Sequence, residues 1–184
     1  MRLTLSLSLG LVLGVTAMSA QHPPLQVVPE VDYQRYAGKW FEIARLPNRF
    51  EDDCVANVTA EYAPMPDGRI SVTNRCEEAD GTFNVAEGVA RREDGRPTSV
   101  LEVRFAPRFL SFLPMVWGDY RVIELDPDYR HAVVASDDRE YLWILSRTPT
   151  MDEATYDSLV ARAKDQGFDV SRLIKTRHAS TVSP

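Results

Sequence analysis

Cysteine, histidine and long apolar runs are all scarce in this chain, and each scarcity removes a class of protein. Among 184 residues there are two cysteines and three histidines. His22, His131 and His178 are too few and too scattered for a metal cluster, so no metal site is expected. None of the patterns H-E-x-x-H, C-x-x-C, P-loop or G-x-S-x-G occurs, which leaves the common hydrolase, thiol-redox and nucleotide chemistries without a signature. A basic surplus is missing as well: 21 Lys and Arg face 27 Asp and Glu, a formal net charge of −6 that disfavours nucleic acid as a partner. The one charge-free apolar stretch, Leu3 to Val15, is shorter than the roughly 20 residues a membrane-spanning helix needs. Arg2 precedes it, and small Ala17, Ser19 and Ala20 follow. Residues 1–20 are therefore expected to be a cleaved signal peptide, with a single domain over 21–178 and a flexible tail over 179–184. Residues 21–31, with Pro23, Pro24 and Pro29, are expected to be mostly extended.

What the chain has in abundance is alternation. Period-two or β-branched runs cover about 39–46, 54–62, 70–76, 83–92, 98–106, 117–125, 130–136 and 140–147. Turn formers stand between them: Asp67-Gly68, Asp80-Gly81, Asp94-Gly95, Asp126-Pro127 and Asp137-Asp138. Eight consecutive strands joined by hairpins remove their exposed edges by closing, so the expectation is all-β: an antiparallel up-and-down barrel wide enough inside for one small ligand. After the strands the period changes. Thr150 and Glu153 have capping-box spacing, Tyr156, Leu159, Val160 and Ala163 form one helical face, and Gly167-Phe168 stops the run. One helix is thus expected outside the barrel, with a short edge strand over Leu173 to Lys175. Pairing 58 with 72, 60 with 70 and 62 with 68 leaves Cys54 opposite Cys76, and export favours their oxidation over two free thiols.

Three segments, in order, resemble the lipocalin family. Gly38-Lys39-Trp40-Phe41-Glu42-Ile43-Ala44-Arg45 matches its opening motif, Asp126-Pro127-Asp128-Tyr129-Arg130 lies in the next-to-last hairpin, and Trp143-Ile144-Leu145-Ser146-Arg147 ends the last long strand. The likeness runs from about Val31 to His178 and is nearest to the bacterial lipocalin and apolipoprotein D branch. It implies a calyx that binds fatty acids, lysophospholipids or other small hydrophobic ligands without catalysis or cofactor. It also implies that Arg147 packs over Trp40 at the closed end, Gly38 and Trp40 being the glycine and tryptophan of the opening motif. Many bacterial relatives carry a lipidated cysteine after the signal, whereas here none precedes Cys54. The expectation is a soluble periplasmic or secreted protein that touches the outer membrane only peripherally; the oligomeric state is not legible.

Parity and residue type supply candidate cavity residues: Val58, Ala60, Tyr62, Ile70 and Val72 in the second and third strands, and Leu101, Val103 and Phe105 in the fifth. In the eighth strand the odd set, Tyr141, Trp143 and Leu145, is favoured over Leu142 and Ile144. In the sixth, Tyr120 and Val122 compete with Arg121 and Ile123 for the interior. All of these would serve equally as core. The mouth is expected near 48–53, 77–81, 107–116 and 137–139. The third of these is unusually apolar, with Phe109, Leu110, Phe112, Leu113 and Met115, and reads as ligand access, a membrane or partner contact, or rim core. An enzyme reading would use Glu42 or Glu124 as an acid inside the cavity.

Overall fold

A computed structural model describes residues 23–106, 113 and 116–179. The nine strands are β1 Gly38–Arg45, β2 Cys54–Pro64, β3 Ile70–Glu78, β4 Phe83–Arg92, β5 Val100–Arg104, β6 Gly118–Leu125, β7 His131–Ala135, β8 Leu142–Ser146 and β9 Ile174–Lys175; the helices are α1 Tyr33–Tyr36 and α2 Glu153–Asp165. Strands β2 to β8 pair in sequence order, and β1 pairs with both β8 and β2, closing an eight-stranded antiparallel barrel. The proposed signal segment 1–20 lies outside the described residues, as does the tail beyond residue 179. Among the described residues no helix is long and apolar enough to cross a membrane.

Alternation along the strands sorts the apolar side chains into two cores. Inside the barrel, Trp40, Tyr62, Ile70, Val72, Ala90, Leu101, Val122, Ala132, Val134 and Leu145 pack together. Outside, Ile43, Ala44, Ile123, Val133, Ala135, Leu142 and Ile144 meet Tyr156, Leu159 and Ala163 of α2, and Phe168 just after it. The sixth strand is thereby resolved: Tyr120 and Val122 turn inward, while Ile123 faces the helix and Arg121 faces outward into Glu93, Asp119 and Asp137. In the eighth strand Trp143 and Leu145 turn inward, and Leu142 and Ile144 outward.

Two local expectations are corrected. The cap of α2 is Asp152, whose carboxylate accepts from Thr155 N at 2.9 Å, not Thr150. An aspartate one residue before the helix reaches the free first-turn amides, and its charge favours the positive end of the helix dipole. The β2–β3 register is offset by four residues from the expected one: Tyr62 faces Val72, and Pro64 faces Ile70 across a turn at 65–69. The strand continues through Pro64 instead of stopping at Tyr62. The Cys54–Cys76 disulfide forms all the same, with Cα atoms 5.6 Å apart. Two register shifts in β2 bring Cys54 opposite Glu78, leaving Cys76 as its diagonal neighbour on the same face.

Strand β1 is shared in halves. Its first half pairs with β2, Trp40 facing Ala60. In its second half, Ala44 and Arg45 pair with Lys175 and Ile174 of β9. The segment after β9 fills the wedge between β1 and β2: Thr176 N donates to Ile43 O at 3.0 Å, and Asn57 N donates to Arg177 O at 2.8 Å. The short edge strand expected at 173–175 thus completes the barrel wall.

Candidate functional site: the barrel interior

The closed end is packed, and many of its polar groups are paired. Residues before β1 cross it: Val28 N donates to Val122 O at 3.0 Å, Val31 N donates to Thr98 Oγ1 at 2.6 Å, and the Val31 side chain is buried in the inner core. Trp40 is fully buried and donates from Nε1 to Tyr36 O at 2.8 Å. Arg147 lies over its ring at 3.9 Å and donates to Arg35 O (2.7 Å), Lys39 O (2.9 Å) and Tyr129 O (3.3 Å). Gly38, at φ +89, supplies the left-handed turn into the strand beside this arginine. Above the tryptophan, Tyr36, Tyr120 and Tyr62 link their hydroxyls in a chain with both separations 2.9 Å. Burial pushes the Tyr62 hydroxyl up to about 12 and the other two well above the ordinary value, so these three hydroxyls stay protonated. The void among these residues is only about 10 Å³, too small for a ligand.

Toward the open end the inner wall loosens. Ala60 and Val103 are only partly buried, and Asn84 and Ala86, which share the inward parity of buried Ala90, are exposed. Phe105 is 41 % exposed and lies against Gly88, where a Cβ would come within 2.7 Å of its ring. Val58 is buried with the parity of Ala60, and Tyr141 stacks on Trp143 with centroids 5.8 Å apart and planes 6° from parallel. The sequence-derived candidates therefore divide: Tyr62, Ile70, Val72 and Leu101 belong to the packed lower barrel, and Val58, Ala60, Val103, Phe105, Tyr141 and Trp143 to the upper wall. Of the apolar mouth segment, Leu113 is partly buried; Phe109, Leu110, Phe112 and Met115 lie outside the described residues.

Sequence reasoning missed a polar cluster at the mouth. A bulge in β1 between Glu42 and Ala44 lets Arg45 pair with Trp143 and Glu42 with Leu145, so both charged residues face inward. Simple alternation puts Arg45 on the opposite face, which is why it was invisible. Arg45 meets Glu42 Oε1 through Nη1 (3.1 Å) and Glu51 Oε2 through Nε (3.0 Å), and its Nη2 donates to Glu51 O (3.2 Å). Trp143 Nε1 donates to Glu51 Oε1 at 2.8 Å, and Thr176 Oγ1 donates to Glu42 Oε1. Glu42 and Arg45 are 2 % and 7 % exposed. Burial first, then the charge of Glu51 and a hydrogen bond with it, holds the Glu42 carboxyl well above the usual carboxylate range. Glu124, by contrast, is not in the cavity: it turns outward to Arg162 Nη1 at 2.6 Å, beside a cleft of about 390 Å³ between α2 and the β6–β7 hairpin. Its inward parity is cancelled by a second bulge, between Val122 and Glu124.

The profile of the lipocalin-like domain matches residues 31–178. The chain is 42% identical to temperature-induced lipocalin-1 of Arabidopsis thaliana over 159 residues, which cover 85% of this chain and 84% of the relative. It is 41% identical to the outer membrane lipoprotein Blc of Escherichia coli over 163 residues, covering 87% and 88%. Insecticyanin from the tobacco hornworm Manduca sexta has the same fold at 20% identity, with a TM-score of 0.62 over 87% of each chain. With the closed barrel, the helix packed outside it and the Trp40–Arg147 floor, these matches lead to one conclusion: the chain belongs to the lipocalin family.

Proposed function

We propose that this lipocalin takes up one single-chain lipid, a fatty acid or lysophospholipid, and carries or stores it without chemical change. The supporting observation is the contrast within one barrel: a packed floor beneath an upper inner wall in which Ala60, Val103, Phe105, Tyr141 and Trp143 stay at least partly exposed. Small hydrophobic ligands are what the family generally binds, and burial of an acyl chain is sufficient drive. At roughly 0.8 kcal/mol per CH₂, a long chain gains on the order of 10 kcal/mol before ordering costs, enough for micromolar binding or better. The name of the relative Blc points to the cell envelope, and the Cys54–Cys76 disulfide suits the oxidising conditions outside the cytoplasm. Displacement of a fluorescent fatty acid from delipidated protein should saturate at one ligand per chain. No saturable uptake of any single-chain lipid would overturn the proposal.

An enzymatic reading loses Glu124, which is paired on the outer surface. Glu42 is inside, but Arg45 and Thr176 occupy its Oε1.

A further inference from the structure

We infer that Phe105, laid across Gly88 on the inner face of the barrel, sets the width of the bore and is the residue that confines the site to one acyl chain, excluding lipids with two. The inference rests on the reading of the barrel as a lipid site and adds to it the side chain that enforces chain number.

The position of the ring follows from strand parity and one close approach. Ala90 and Leu101 are buried in the inner core, and Val103, which faces Ala90 across β4 and β5, packs against it. Gly88 shares the inward parity of Ala90. A Cβ built on Gly88 would come within 2.7 Å of Phe105 Cδ1 and 2.8 Å of Cε1. The ring therefore lies on the inner side of β4, in the space that a side chain at position 88 would fill. The same Cβ would come within 2.8 Å of Arg104 O, so the two backbones are close as well. Glycine is the residue that permits both approaches. Phe105 is nevertheless 41 % exposed, so the part of the ring not seated on the glycine is open to solvent.

Around the ring this wall is made of short side chains. Ala86, Gly88 and Ala90 succeed one another on the inner face of β4, and Ala60 stands in the same row as Ala86, with Asn74 between them. Phe105 is the large side chain laid over them. Trp143 projects into the barrel from β8, four strands from β4 in the closed ring and so on the far wall, where Tyr141 stacks on it. The upper bore is thus narrowed from both sides by aromatic rings. One acyl chain can pass between them, whereas a second chain alongside needs the volume that the Phe105 ring takes. Without that ring, Gly88 and Ala86 would leave an uncovered groove along β4. An aromatic ring over a cross-strand glycine also stabilises a sheet by itself. That role affects all ligands alike, so the two are separable.

The test uses two phosphocholines with the same head and the same number of acyl carbons: dodecanoyl lysophosphatidylcholine, with one chain, and dihexanoyl phosphatidylcholine, with two. Both are titrated as monomers into delipidated protein. The wild type should bind the single-chain probe at least about a hundredfold tighter, because each methylene left outside costs about fourfold. Phe105→Ala should bring the two probes within about tenfold of each other, chiefly by a gain for the two-chain probe. Phe105→Leu, whose side chain is apolar but narrower than the ring, should lie between. Equal binding of the two probes by the wild type overturns the inference. So does an unchanged ratio in Phe105→Ala, with or without a common loss of affinity, since that is the mark of a ring that only covers the glycine. If neither probe binds the wild type, the reading of the barrel as a lipid site fails, and the inference fails with it. Should Phe105→Ala not fold, the ratio in Phe105→Leu decides: a smaller preference than in the wild type supports the inference, and an unchanged one overturns it.

Discussion

The two ends of this barrel are made from the same strands and have opposite characters. At the closed end the large side chains are tied together: Trp40 is capped by Arg147, three tyrosine hydroxyls bond one another, and the chain before β1 covers them. At the open end the strands part. Strand β1 leaves β2 for β9, and charged residues enter the interior through a bulge. Phe83, Val85 and Phe105 stay exposed there. If the barrel takes up a ligand as proposed, the difference separates stability from recognition along the barrel axis. The floor can be filled densely because no ligand needs to enter it, and the wall above stays open because the floor already secures closure.

Substitutions should therefore divide by height. The largest effect is expected for Arg147→Ala, which removes a ring contact and three bonds to backbone carbonyls: about 3–4 kcal/mol of stability, read as a melting temperature lower by about 10 °C, with lipid affinity nearly unchanged. An equal loss of affinity would erase the division of labour. Replacing both cysteines with serine should cost roughly 3 kcal/mol, measured by urea unfolding, and would show how much of the loose upper wall depends on the cross-link. Tyr120→Phe deletes the central hydroxyl of the floor chain and strands its two neighbours; about 1–2 kcal/mol should be lost in the same assay.

The smallest effects are in pH dependence, and they differ in sign between the two ends. Near the floor, the hydrogen bond from Arg130 lowers the Asp126 carboxyl to about 2. Its contribution is full above the unfolded value near 3.8 and is lost as pH falls toward 2, so Asp126→Asn should flatten the acid limb of a melting-temperature profile. Glu42 at the mouth is shifted upward. Its contribution is full below the unfolded value near 4.5 and is lost as pH rises through the folded one, so Glu42→Gln should flatten the decline on the alkaline side. Profiles that respond on the same side would mean that the two carboxyls do not have the opposite environments seen here.

Much of this was legible in the chain because it depends on near-neighbours. The eight strands, the helical face of Tyr156, Leu159 and Ala163 and the stop at Gly167, φ +92, follow from periods of two and 3.6 and from turn chemistry. Parity also orients Tyr62, Ile70, Val72 and Leu101 inward. It fails where the backbone inserts a residue. The bulge after Glu42 turns Arg45 into the cavity, and the one after Val122 turns Glu124 out of it; neither position carries a glycine or proline that would mark the irregularity. The disulfide shows the same limit from the other side: the cysteines meet, but through register shifts that simple counting across the hairpin does not include.

By itself, then, the sequence determined what alternation and turn residues can carry, a closed antiparallel barrel and its helix, while the Trp40–Arg147 contact was an expectation from the resemblance to lipocalins. The tertiary structure alone decided what depends on groups far apart in the chain. It brought Glu42, Arg45, Glu51, Trp143 and Thr176 into one buried cluster and drew residues 174–177 into the gap between β1 and β2. The reason is physical. Hydrophobic period is a one-dimensional signal set by each strand's own geometry, whereas burial and charge pairing inside a barrel are properties of a volume that exists only once the barrel has closed.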